Sequence, residues 1–294
     1  MGMHESTLAF IAQMRRAGPF KDVQRICDLG DQQMGLSNNP LVVRELFEAF
    51  GKPAPTAEEC VRYHDTLSRD LYTRIGLTYM SIDVNAEGGA IPLDLNFEPA
   101  PDNQKNAWDL VCNQGTTEHL INQANAFQVI HDLTRKGGYM LHHLPFLRYV
   151  DHGYFNYQPN FFEDLAIHND YEIIGIWINL DRGRCHLIPW HRTLLEKLRL
   201  DNLDMNIFVL FRKTSDAPFA LPVQGTYAGS LPEPSLRRYE YLVDGRLIKG
   251  REGLVRARAA SQPDLGLSSH PVKDLQREVI RRYVRAIKRR LGLK

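Results

Sequence analysis

Apolar positions along this chain switch repeatedly between helical and strand spacing. Leu8, Ile11, Ala12 and Met14 predict a helix over residues 5–17, which Gly18-Pro19 stops. Ile26 and Leu29 then read as a short buried strand, with Asp28 near its end and Gly30 opening a turn. The segment from Leu36 to about Gly76 holds two helical patterns. The first runs through Leu41, Val42, Leu46, Phe47 and Phe50 and ends at Gly51 and Pro53. The second runs through Val61, Leu67 and Leu71, and Thr56 with Glu59 has the spacing of a capping box at its start. Further strands are predicted over 77–83, 91–96, 107–113, 139–143, 171–180 and 206–211. Helices are predicted over 118–135, ended by Gly137-Gly138, and near 160–168. Strands that alternate with helices imply a mostly parallel sheet covered on both faces.

The pattern changes after residue 215. Residues 216–235 are rich in Pro, Gly and Ser, and Asp244-Gly245 between two apolar runs signals a hairpin. Pro271 opens a helix with Val272, Leu275, Val279, Tyr283 and Ile287 on one narrow face. The organisation read from this is a domain over 1–215, with a helical insertion at about 36–76, and a C-terminal extension over 216–294. Charge sharpens the division. Residues 251–294 hold 12 Lys and Arg against 4 Asp and Glu, so they carry +8 and the rest −7, for a total of +1. A solvated basic face that complements the acidic body accounts for this better than a polyanionic partner. The helix is expected to pack in cis or in a homodimer and to bind no nucleic acid. Cys27, Cys60, Cys112 and Cys185 form no C-x-x-C pair, which fits a reducing, cytoplasmic setting. No apolar run is long enough to span a bilayer.

Candidate chemistry sits at the strand ends. A strand, a glycine turn and a following helix begin a βαβ unit, and ligands of such sheets bind outside the carboxyl ends of the strands. The Gly30 loop is no phosphate cradle: position 32 is Gln32 where a dinucleotide fingerprint needs glycine, and the chain has no G-x-x-x-x-G-K-[ST]. Asp28, Asp83 and Asp94 each end a predicted strand. His119, His142, His143 and His152, with Tyr154 nearby, offer bases for proton abstraction. Strand alternation puts His142 and His143 on opposite faces, so at most one of them faces a pocket. No H-x-x-x-H pair supports a metal site, and none is expected. The aromatic, polar loop His152–Pro159 suits the wall of an acceptor pocket.

In order along residues 20–213, these strand ends resemble the class I S-adenosylmethionine-dependent methyltransferases. The likeness rests on Ile26-Cys-Asp28-Leu-Gly30, Asp83, Asp94-Leu95, Trp108-Asp-Leu-Val-Cys-Asn113 followed by Glu118-His119-Leu120, and Gly137-Gly138 before a strand. It implies an α/β, Rossmann-like, seven-stranded mostly parallel sheet with helices on both faces, with a helical insertion after the first strand and the C-terminal extension. It implies S-adenosylmethionine as cofactor. Asp28 and the backbone at Gly30 would hold its amino-acid tail, Asp83 would take the ribose hydroxyls, Asp94 and Leu95 the adenine, and Asn113 and Gln114 would lie beside the methionine tail near the methyl group. Gln32 either contacts the cofactor, shifts it slightly or marks a degenerate site. Where the family has G-x-G-x-G, this chain keeps only the first glycine, and Gln32 brings a Cβ to the second position.

The resemblance implies methyl transfer to an O or N atom of a small molecule or glycan, as in biosynthetic enzymes. The missing glycines motivate an alternative, a catalytically degenerate binding or scaffold protein. Nucleic-acid modification is weaker still, because no Asn/Asp-Pro-Pro-[Tyr/Phe] follows the fourth strand.

Overall fold

A computed structural model describes residues 2–35, 40–85, 87–179, 187–191, 194 and 204–260. The basic helix expected from Pro271 and the residue Cys185 lie outside the described residues. Twelve strands are described: β1 (Gly2–His4), β2 (Arg25–Leu29), β3 (Gln33–Gly35), β4 (Thr78–Asp83), β5 (Ile91–Pro92), β6 (Trp108–Gln114), β7 (Thr134–Leu147), β8 (Glu172–Asn179), β9 (Leu187–Pro189), β10 (Met205–Arg212), β11 (Glu240–Val243) and β12 (Arg246–Lys249). Eight of them form one sheet in the order β5-β4-β2-β6-β7-β10-β8-β9. From β5 to β7 the pairings are parallel, while β10 runs antiparallel to both β7 and β8. The seven expected strands are present. The eighth, β9, adds an antiparallel edge beside β8.

Strand alternation feeds a core on each face. From β10, Ile207, Val209 and Phe211 join α5 (Gln123–Leu133) and α6 (Pro159–Asn169), through residues such as Phe127, Leu133, Phe162 and Leu165. Phe208 and Leu210 point the other way, into Phe10 and Ile11 of α1 (Glu5–Ala17), Leu46 of α2 (Pro40–Ala49) and Leu71 of α4 (Ser68–Arg74). This is the doubly wound arrangement, with apolar strands buried on both sides.

Four expectations change in detail. The helix opened by Thr56 does form its capping box, but α3 spans only Ala57–Val61, and α4 resumes at Ser68 beyond a left-handed Asp65 (φ 62). Asp94 and Leu95 lie beyond the two-residue β5, in a turn where Phe97 and Glu98 donate to the Asp94 carbonyl. The helix placed over 118–135 starts at Gln123, capped by the Asn122 side chain, and Thr117–His119 form a 3-10 turn before it. Gly137-Gly138 ends no helix. It sits inside the 14-residue β7, where the register to β6 shifts, and a Cβ on Gly138 would stand 2.9 Å from the Trp108 carbonyl oxygen.

After β10, α7 (Gly225–Ala228), α8 (Glu233–Leu236), the β11–β12 hairpin and α9 (Gly250–Ala260) build a small core around Leu236, Tyr241 and Leu254. Asp244 and Gly245 both have positive φ, as the hairpin turn requires. Buried His168 of α6 ties this core to the sheet: its ring stacks on Tyr241 at 4.0 Å, its Nε2 accepts from the Val223 amide and its Nδ1 donates to the Glu240 carbonyl.

Candidate functional site

The strand order reverses between β2 and β6: from β2 the chain winds outward to β4 and β5, and from β6 outward to β7. The loops leaving these two strands therefore flank the crevice where an open α/β sheet binds ligands. Gly30 turns the chain with φ 83 and donates its amide to the Ile82 carbonyl at 2.7 Å. A Cβ there would come within 2.9 Å of both Gln32 Nε2 and Thr116 Oγ1. Thr116, from the β6 loop, donates to the Leu29 carbonyl at 2.6 Å and stitches the two loops together.

The Gln32 side chain folds back under its own loop. Its Nε2 donates to the Leu29 carbonyl at 2.9 Å and to Thr116 Oγ1 at 3.3 Å, while its buried Oε1 has no hydrogen-bond partner among the described residues. Gln114, at the end of β6, repeats the arrangement: Nε2 reaches Asp28 Oδ1 at 3.5 Å and Oε1 is buried without a partner. Two amide oxygens thus stand unsatisfied at the switch point, an arrangement that costs stability unless a donor arrives.

The acids occupy unlike environments. Asp28 is fully buried and accepts from Ser68 Oγ at 2.9 Å and Tyr79 OH at 3.1 Å. Burial pushes its carboxyl up to about 7, and these hydrogen bonds oppose the rise. Asp83 is half-buried; its Oδ2 accepts the Asp31 amide at 2.8 Å and its Oδ1 the Asn85 amide at 3.0 Å. A carboxylate has about four lone-pair sites, so about two are left over. Asp94 Oδ1 accepts the Asn96 amide at 2.8 Å, and the carbonyl of buried Leu95 takes Asn125 Nδ2 at 2.8 Å. Asn113 is fully buried, donates to Thr117 Oγ1 at 2.9 Å and lies 3.3 Å from His142 Nδ1.

The histidines separate. His142 packs among Phe127, Phe162 and Phe211 in one core, and His143 stacks on Phe208 in the other, with Thr7 Oγ1 at 3.0 Å. Burial lowers each to about 3, so both are neutral. His119 and His152 come together beyond the ends of β6 and β7, with ring centroids 5.3 Å apart. The Tyr154 side chain is exposed, but its amide donates to the Glu118 carbonyl at 2.8 Å.

Glu118 escapes a reading centred on histidines. Its side chain is fully buried, with Oε1 3.7 Å from His152 Nε2 and 4.0 Å from His119 Nε2. Burial pushes its carboxyl up to about 7. The available signal was adjacency to His119, since a glutamate beside a histidine in a β-strand loop is otherwise unremarkable in sequence. Thr116 and Tyr157 are also new members. Tyr157 OH donates to Gln123 Oε1 at 2.7 Å and lies 2.8 Å from Thr117 Oγ1, which holds the turn that carries Glu118.

No protein-family model matches the chain, and no curated protein matches it by sequence. Among solved structures, it is similar to 1,6-didemethyltoxoflavin-N1-methyltransferase of Burkholderia thailandensis, at 10% identity and a TM-score of 0.41, over 71% of this chain and 79% of that one. A SAM-dependent methyltransferase from Archaeoglobus fulgidus shares 14% identity over 69% of this chain and 93% of its own, with a TM-score of 0.39. A geranyl diphosphate methyltransferase shares 10% identity over 71% and 85%, with a TM-score of 0.42. The sheet order, read strand by strand, is independent of these overlays. By that order the chain has the doubly wound, Rossmann-like fold implied by its resemblance to the class I methyltransferases.

Proposed function

We propose that the chain is an S-adenosylmethionine-dependent methyltransferase acting on an O or N atom of a small molecule or glycan. The observation that carries this reading is the switch-point crevice, where the buried amide oxygens of Gln32 and Gln114 lack donors. An α-ammonium carries three N–H donors and no acceptor, and suits such a pair. Asp83, with lone pairs to spare, suits the two ribose hydroxyls. Asp94 and Leu95 lie at the adenine end, and Asn113 beside the methionine tail. Fully buried Asp28 serves by holding Gln114 and Ser68 rather than by touching the tail. The cofactor supplies an electrophilic methyl group on a sulfonium. The chain's own task is then to align the acceptor, which is chiefly a proximity effect. His119 and His152 line the acceptor end beside Glu118. His142 would steady Asn113 from the core, and Tyr154 would border the entrance.

Calorimetry with S-adenosylmethionine and with its demethylated product tests this. Both should bind, and Asp83→Ala should weaken binding by roughly 1.5–3 kcal/mol, the worth of a hydrogen bond to a charged group. No binding of either at millimolar concentration sinks the reading; unchanged affinity in Asp83→Ala reassigns that residue.

A second reading, a binding or scaffold protein without turnover, is favoured by one observation: Gln32 fills space beside Gly30 that the family's second glycine would leave open. Cofactor binding with no demethylated product, given small-molecule extracts of the source organism as acceptors, would select it.

A further inference from the structure

Glu118 is the least satisfied charged group among the described residues. Its side chain is fully buried, and neither carboxylate oxygen accepts a hydrogen bond from any other described residue. Leaving a buried carboxylate without donors is costly, so such a group is protonated, paired with a cation or bound to a metal ion. The surroundings aim two imidazoles at it. His119 follows in the same 3-10 turn, and His152 arrives on the loop between β7 and α6. One ligand atom from each of the three side chains lies within 4.8 Å of the other two. Ligands about 2.0–2.1 Å from a tetrahedral ion are spaced roughly 3.3 Å apart, so small side-chain rotations close the set.

The backbone is built to keep His152 there. The amides of Tyr154 and Phe155 donate to the Glu118 carbonyl at 2.8 and 3.2 Å. Gly153 lies so close that a Cβ would stand 3.0 Å from Glu118 Cγ. Just before His152, three non-glycine residues take left-handed conformations: Arg148 (φ 70), Tyr149 (φ 35) and Asp151 (φ 59). Such strain persists only where the surroundings impose it, and it gathers at functional sites. Tyr149 also sets its ring edge-on to His152, with centroids 5.3 Å apart.

We infer that Glu118, His119 and His152 form a binding site for one divalent first-row transition-metal ion. Two imidazoles and one carboxylate are the donor set of open zinc and non-haem iron sites, and leave at least one position for water or an acceptor oxygen. Hard cations such as Mg²⁺ and Ca²⁺ prefer all-oxygen shells and are excluded. His119 and His152 are part-exposed, so an ion has a path in.

The test is titration of the chelator-treated full-length protein with ZnCl2, and separately with CoCl2 to read the visible ligand-field spectrum. One equivalent should bind with micromolar or tighter affinity, and Mg²⁺ should not compete. His152→Ala and Glu118→Gln should each weaken Zn²⁺ binding by at least roughly tenfold, as disturbing a metal site usually does. His64→Ala, which alters a surface histidine outside the cluster, should bind as the unaltered chain does. If Glu118→Gln fails to fold, His119→Ala replaces it, since that side chain is 43% exposed. Absence of stoichiometric Zn²⁺ binding, or equal affinity in the unaltered chain and the cluster variants, overturns the inference. The titration needs no methyl donor, so a failure here leaves the cofactor reading untouched.

Discussion

Asp28 shows how one strand residue links stability to the site. In the folded chain its carboxyl keeps a proton up to about 7, against an ordinary value of 3.8. The folded state therefore binds more protons than the unfolded one between those values, and stability falls as pH rises through the window, levelling above about 7. Asp28→Asn keeps the shape and removes the charge. Its melting temperature should gain on that of the unaltered chain as the pH is raised from 4 to 7, by the equivalent of a few kcal/mol at most, given ~1.4 kcal/mol per pKa unit. A difference between the two melting curves that does not change with pH would show that Asp28 is ionised throughout. The same buried carboxyl, through Gln114, keeps an amide poised at the switch point.

Between elements, close approach matters more than propensity. Gly138 lies where β7 crosses the register shift against β6, with the Arg135 and Trp108 carbonyl oxygens each 2.9 Å from an added Cβ and that of Asp109 at 3.1 Å. All three are backbone atoms in a central strand pair and have little room to move. Gly138→Ala should cost ~1–3 kcal/mol, the usual penalty of overpacking, readable as a lower urea midpoint. An unchanged midpoint would mean that β6 and β7 part more easily than their pairing suggests. Such a glycine pair reads in sequence as a helix stop, because the cue for a bulge is a carbonyl on another strand. The break at Asp65 and the late start of α5 have the same origin. Both follow from how the segment docks, through the β-bridge of Gln33 to Leu67 and through Asn96, whose side-chain oxygen accepts the Ile121 and Asn122 amides.

Across the described residues, four histidines are buried and neutral: His131, His142, His143 and His168. His131, His142 and His143 are each lowered to about 3 by burial, from an ordinary value of 6.5. The unfolded chain takes up these protons first, so their contribution to stability is lost as pH falls below 6.5. Asp28 works the opposite way over part of that range, so the test is a difference between variants. His142→Phe suits the ring-lined site, and its denaturation midpoint should fall less between pH 7 and 5 than that of the unaltered chain. Equal falls would place a charged His142 in the folded state. No helix among the described residues is long and apolar enough to cross a membrane.

Periodicity and strand-end residues were enough to read the alternation of strands and helices, the two-faced burial of the sheet and the position of the crevice. These are local properties: the spacing of Ile26 and Leu29, the acid after β4, the capping box at Thr56 and the Asp244-Gly245 turn each act through neighbours in the chain. The bulge at Gly138 and the sealing of Asp28 needed partners tens of residues away. So did the site itself. Four histidines looked alike as bases in sequence; strand alternation already put His142 and His143 on opposite faces, but only packing buried both rings in the cores and brought His152 from the next loop onto Glu118 and His119. Burial and the meeting of distant loops set the chemistry of an ionisable group, and neither is a property of its local sequence.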